Sequence, residues 1–110
     1  MDTLKNRILE GMLDFIKGDE AADYTASDVA ECGNDLSEFL NNLKTENINH
    51  DSALNHVKNL VLKLNALNDR CGGSLIETDQ REDICELIDS SLTQAHVPFE
   101  DDVTEEWREW

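Results

Sequence analysis

The feature that most limits the fold of this chain is a long apolar helix pattern in residues 51–73. Six aliphatic residues recur there at three- and four-residue steps, which places them on one face of a helix: Leu54, Val57, Leu60, Val61, Leu64 and Leu67. Leu62 and Ala66 would widen that face. Because so wide an apolar face needs other helices around it, we predict that this segment is the central helix of an all-α domain.

Three further segments show the same helical spacing, in residues 3–17, from residue 25 or 27 to about 43, and in 79–96. Their inward-facing residues would be Leu4, Ile8, Leu9, Met12, Leu13 and Ile16; then Val29, Cys32, Leu36, Phe39, Leu40 and Leu43; then Ile84, Cys85, Ile88, Leu92 and Ala95. No segment alternates with period two, so strands are not expected. Since short connections favour antiparallel neighbours, we predict an antiparallel four-helix bundle.

Residues that are typical of helix ends lie at the borders of these segments. N-cap preferences predict caps at Asp2, Thr25 and Asp51, and a capping box formed by Asp79 and Glu82. Glycines that favour left-handed backbone predict C-terminal ends at Gly18 and at Gly72 with Gly73. Pro98 disfavours helical geometry just before it, which predicts that the fourth helix ends near His96.

The last residues, 99–110, form a distinct acidic segment. Val103, Trp107 and Trp110 are spaced four and three apart, as on one face of a short helix. We expect this short C-terminal helix to dock on the bundle, because burying a tryptophan contributes roughly 2–3 kcal/mol. The alternative is a free recognition segment. The predicted organisation is therefore a helical bundle domain in 1–98 and a docked segment in 99–110.

The chain is strongly acidic, with a formal net charge of -16. Such a charge disfavours direct binding to nucleic acid or to an anionic membrane and favours basic partners. The acidity is concentrated in two regions, since residues 19–48 hold eight acids and one lysine, and residues 76–110 hold twelve acids and two arginines. The second and fourth helices and the C-terminal segment therefore carry the charge.

Within those two helices the carboxylates form rows at helical spacing. The first row is Asp28, Glu31, Asp35 and Glu38, and the second is Asp79, Glu82, Asp83, Glu86 and Asp89. Like charges three or four residues apart destabilise a helix, so these rows work against stability. Crowding should also raise the folded-state pKa values of these carboxyls. One interpretation is a solvated face that keeps the protein soluble, and the other is a binding face for a cationic partner.

Patterns that would indicate catalysis or metal binding are weak. Cys32, Cys71 and Cys85 are an odd number without metal-type spacing, and a reducing cytoplasm suits them. His50 and His56 are six residues apart, which places them on different helical faces. The charged N-terminal residues do not resemble a signal peptide, and no apolar run is long enough for a membrane span. We expect no enzymatic activity, no cofactor and no metal.

The leading hypothesis is a cytoplasmic, non-catalytic binding protein that masks a basic surface of a protein partner. Its most concrete form is a bacterial-type immunity protein that inhibits a basic toxin or nuclease, acting as a monomer or homodimer. The alternatives are a DNA mimic that inhibits a DNA-binding protein, and a small helical ligand-binding protein or enzyme. The predicted partner-binding residues are both acidic rows together with Trp107 and Trp110.

Overall fold

The computed structural model describes residues 2–18, 23–44, 48–99 and 102–110. In these ranges the regular structure is helical, without strands, which confirms the predicted all-α class. The helices are α1 (Asp2–Gly18), α2 (Ala26–Leu43), α3 (His50–Arg70) and α4 (Thr78–Gln94). None of them combines the length and the apolar composition that crossing a bilayer requires.

The helix with the most neighbours is α2, which packs against α1, α3 and α4. The prediction that α3 is central is therefore wrong, since the main neighbour of α3 is α2. The apolar face of α3 is also narrower than predicted, because Leu62 is 44% exposed and Ala66 is exposed. Asn65 and Asn68 occupy buried positions of α3 instead.

Contacts between neighbouring helices run in opposite sequence directions. Arg7 and Gly11 of α1 meet Asp83 and Gln80 of α4; Lys5 and Leu9 of α1 meet Ser37 and Gly33 of α2; Glu31 and Glu38 of α2 meet Arg70 and Lys63 of α3. In each pair, residue numbers rise along one helix while they fall along the other. These contacts are consistent with antiparallel packing of adjacent helices.

The inward faces of the helices were predicted well for α2 and in part for the others. All six predicted residues of α2 are buried, and so are Ile84, Ile88 and Leu92 of α4. Cys85 and Ala95 are only half-buried, whereas Leu87 and Ser91, which the pattern missed, are buried. In α1 only Ile8 and Met12 are fully buried, and the rest of its apolar stripe packs at the margin of the core.

The N-terminal ends confirm one predicted cap and correct three. At α2, the Asp28 carboxylate accepts the backbone N–H of Thr25 at 2.9 Å, so Thr25 is the N-cap as predicted. At α3, the cap is Asn49, whose Oδ1 accepts the backbone N–H of Ser52 at 2.8 Å, and Asp51 lies inside the helix. N-cap preference hardly distinguishes asparagine from aspartate, so the sequence alone could not choose between them.

The other two corrections concern Asp2 and Asp79. Asp2 is already helical in α1, and Asp79 lies in the first turn of α4 after Glu77, which holds the N-cap position. The predicted capping box of Asp79 with Glu82 is therefore wrong by two residues. Both aspartates still favour their helices, because a carboxylate in the first turn interacts well with the helix dipole.

The C-terminal end of α3 confirms the glycine prediction. Gly72 and Gly73 have φ values of 67° and 76°. The Gly73 N–H donates to the Asn68 carbonyl at 2.8 Å, and the Gly72 N–H donates to the Asp69 carbonyl at 3.0 Å. This pair of bonds is a Schellman motif. The same prediction for Gly18 is wrong, because Gly18 is still part of α1.

The end of α4 has the same hydrogen bonds but no glycine. The Val97 N–H donates to the Leu92 carbonyl at 2.9 Å, and His96 holds the left-handed position with φ 58°.

A residue with a side chain pays roughly 1–2 kcal/mol for the left-handed conformation of His96. Glycine avoids this cost, but its greater freedom in the unfolded chain offsets part of the gain in stability. His96→Gly should therefore raise the free energy of unfolding by about 0.5–1 kcal/mol, measured by urea denaturation. His96→Ala is the control and should give no gain; equal stability of all three proteins would contradict the strain.

Candidate acidic interface

The acidic row of α2 borders α3, and two of its carboxylates pair with bases there. Glu31 bonds to the guanidinium of Arg70, and Glu38 Oε2 accepts from Lys63 Nζ at 3.1 Å. Asp28 is engaged in the N-terminal cap of α2. Much of this row is therefore committed to contacts within the protein.

Asp35 is the remaining member of the α2 row, and it is half-buried. Burial raises the pKa of its carboxyl, while the charge of Lys63 opposes that rise. The expected rise is thus present, but desolvation causes it more than crowding does.

The acidic row of α4 divides into two groups. Asp83 and Glu86 point toward α1, where Arg7 holds Asp83 through two bonds of 2.7 and 3.0 Å and reaches Glu86 at 3.3 Å. The two carboxylates raise the pKa of Arg7, chiefly through the hydrogen bond to Asp83. Asp79 and Glu82 are exposed, and no lysine or arginine in the described ranges forms an ion pair with either. The two rows therefore border different helix pairs, α2 with α3 and α4 with α1.

The C-terminal segment is held against α3 by the side chain of Asn65. Its Nδ2 donates to the carbonyl of Trp107 at 2.7 Å, and its Oδ1 accepts the N–H of Glu109 at 3.1 Å. Trp107 and Trp110 are half-buried against the core, so both predicted partner-binding tryptophans contact their own chain. The indole nitrogen of Trp110 is buried and has no hydrogen-bond partner among the residues that the structure describes, and Arg108 Cζ lies 5.5 Å from the centre of that ring.

The segment forms a turn at 103–107 where a short helix was predicted. The N–H groups of Trp107 and Arg108 both bond to the carbonyl of Thr104, at 3.1 and 2.9 Å. The N–H of Glu109 then donates to Asn65 Oδ1 at 3.1 Å instead of to the Glu105 carbonyl, which it would bond in a continuing helix. The predicted helix is wrong for that reason. The division of the chain at residue 98 stays a prediction.

The segment also contacts α4, through Thr104 and Arg108. Thr104 is buried, and Arg108 Nη1 donates to Cys85 Sγ at 3.2 Å. Asp102 accepts from Thr104 and forms an ion pair with Arg108 at 3.0 Å. Burial acts to raise the pKa of Asp102, but the Thr104 hydrogen bonds and Arg108 together hold that pKa below its ordinary value. Asp102 is thus an ionised carboxylate fixed beside α4.

These contacts make Asp102 part of the surface that α4 presents. Its charge, after burial, contributes to raising the pKa of Asp89. Asp89 follows Asp79, Glu82 and Glu86 at steps of three, four and three, which keeps them on one side of the helix. We define the α4 acidic surface as Asp79, Glu82, Glu86, Asp89 and Asp102, of which Glu86 and Asp102 also pair with arginines of this chain. Four of these residues are exposed and Asp89 is half-buried.

The raised pKa of Asp89 gives this surface a pH-dependent effect on stability. A folded-state pKa above the unfolded value means that ionised Asp89 destabilises the fold at neutral pH. That penalty is relieved as pH falls through the folded pKa and is gone below 3.8, the ordinary pKa of an aspartate. Asp89→Asn should therefore be more stable than the parent at neutral pH, with the difference shrinking in acid, as measured by thermal melting across pH. A difference that is absent or constant with pH would contradict this assignment.

Other chemistry has little support in the described ranges. They contain no group of three or more His, Cys, Asp and Glu side chains placed to hold a metal ion. Burial raises the pKa of the Cys32 thiol to about 12, so it is a poor nucleophile. Cys71 is buried and Cys85 half-buried, and burial raises the pKa of each thiol. Comparison with protein-family models, curated proteins and solved structures found no significant match to the chain.

Proposed function

We propose that this protein is a non-catalytic binding protein that masks a basic surface of a protein partner. Its scaffold would be an antiparallel four-helix bundle, which the opposite contact directions of adjacent helices support. The observation that carries the proposal is the α4 acidic surface. Asp79 and Glu82 are exposed there without an ion pair to lysine or arginine among the described residues.

The α4 acidic surface suits a basic partner better than the α2 row does. A partner that binds Glu31 or Glu38 must displace Arg70 or Lys63, whereas Asp79 and Glu82 need only lose water. Unneutralised charges such as those of Asp79 and Glu82 accelerate association with an oppositely charged surface. The α2 row and the other acids would contribute to the long-range field without touching the partner.

The most concrete form of this function is an immunity-type inhibitor of a basic toxin or nuclease. A cytoplasmic location would keep the three free cysteines reduced. DNA mimicry has weaker support, because the two rows border different helix pairs and do not form one long track of charge.

The proposal can be tested with two variants that change the net charge by the same amount at different places. Glu82→Lys and the double variant Asn34→Lys/Asn41→Lys each raise the net charge by two units, and Asn34 and Asn41 are exposed on α2. Each protein is immobilised, proteins from an extract of the source cells are bound at low salt, and a salt gradient elutes them. We expect basic proteins to be retained by the parent and by the α2 variant.

The Glu82→Lys variant should bind the retained basic protein at least about tenfold more weakly than the α2 variant. It loses one carboxylate contact, and the new lysine also repels the basic surface of the partner. An equal loss of affinity in both variants would mean that net charge alone attracts the partner. Retention of no basic protein by the parent would contradict the function itself.

A further inference from the structure

An open groove lies between the first turns of α3 and the C-terminal segment. Its volume is about 620 Å³. Leu54, Phe99, Val103 and Trp107 supply apolar surface, and Asp102 and Glu106 supply carboxylates. Neither lysine nor arginine is among the described residues that line it. The groove therefore combines an apolar wall with a rim that is acidic apart from the exposed imidazole of His50.

The groove is continuous with the α4 acidic surface, because Asp102 belongs to both. Arg108 and Thr104 already fix Asp102, so its charge is present but largely engaged. Glu106 is exposed and has no ion pair with lysine or arginine in the part of the chain that the structure describes. A cation beside the groove would meet Glu106 directly and Asp102 at longer range.

We propose that this groove receives a peptide segment of the basic partner, with one large apolar side chain inserted and a lysine or arginine beside it on Glu106. This inference rests on the proposed function and names the chemistry of the partner that it requires. An apolar anchor in a pocket with charges at its rim is the usual arrangement of a protein interface. A second copy of this chain is a poor occupant, because its own net charge of -16 would oppose the approach of two acidic rims.

The test uses the full chain as bait for a phage-displayed library of random peptides at low salt. We expect enriched peptides to place a large apolar residue next to lysine or arginine. A synthetic copy of the most enriched peptide should bind Leu54→Gln or Val103→Ser at least about tenfold more weakly than the parent, since each variant removes apolar contact. Insertion should also shift the fluorescence of Trp107, which lines the groove.

The control is Leu62→Gln, because Leu62 is an exposed leucine of the same helix outside the groove. It should bind the peptide as the parent does, and circular dichroism should show that all variants are folded. A contrary result would be enriched basic peptides that bind Leu54→Gln and Val103→Ser as tightly as the parent but bind Glu82→Lys more weakly. That result would overturn the groove as the binding site and leave the α4 acidic surface as the binding site. Enriched peptides without basic residues would overturn both proposals.

Discussion

Replacing Leu36 with alanine is expected to lower the free energy of unfolding by about 3–4 kcal/mol, the loss typical of a leucine removed from a fully packed site. Leu36 has no exposed surface and lies in the middle of α2, the helix that packs against three others. Truncation there leaves a cavity inside the hydrophobic core. Urea denaturation followed by circular dichroism measures the loss.

The matched comparison is Leu62→Ala on α3. Leu62 is 44% exposed, so its truncation should change stability by less than about 0.5 kcal/mol. If the two alanine variants lost similar amounts, the assignment of α2 as the helix at the centre of the core would be wrong.

The second large effect is expected from Asn65→Leu, which should lower the free energy of unfolding by about 2–3 kcal/mol. Leucine can fill the space of the amide but cannot bond to the Trp107 carbonyl or the Glu109 N–H. Both backbone groups would then be left without partners or the segment would leave α3. Tryptophan emission should shift to longer wavelength as Trp107 and Trp110 gain contact with water.

Asn59→Leu, at an exposed position of the same helix, is the control for this change. Its free energy of unfolding should lie within about 0.5 kcal/mol of the parent's. Its tryptophan emission should not shift in wavelength. Parent-like emission in Asn65→Leu would show that the two hydrogen bonds do not hold the segment.

Hydrophobic spacing predicted the helices because burial follows that spacing closely in α2 and in part in the other three helices. Every predicted inward residue of α2 is buried, and Gly72 and Gly73 end α3 as expected. The same pattern could not identify Asn65 and Asn68, since their positions on the inner face look like interruptions of an apolar stripe. They are buried because each amide bonds to a backbone group outside its own helix, and such partners are visible only once the chain is folded.

The acidic rows were visible in the sequence, but their neutralisation was not. Arg7 lies 76 residues from Asp83, and Arg70 lies 39 residues from Glu31, so no local pattern connects these pairs. The register of the packed helices decides which carboxylates find a base. That register leaves Asp79 and Glu82 without an ion pair to lysine or arginine in the described ranges, and this separates the α4 acidic surface from the α2 row.

The most direct test of the account is the association rate constant of the basic partner, measured by stopped-flow mixing across ionic strength. At low salt the partner should associate several-fold more slowly with Glu82→Lys than with Asn34→Lys/Asn41→Lys, although the two proteins have the same net charge. The difference should disappear at high salt, where the charges are screened. Equal association rates for the two variants at low salt would contradict the central claim that the α4 acidic surface is where the partner binds.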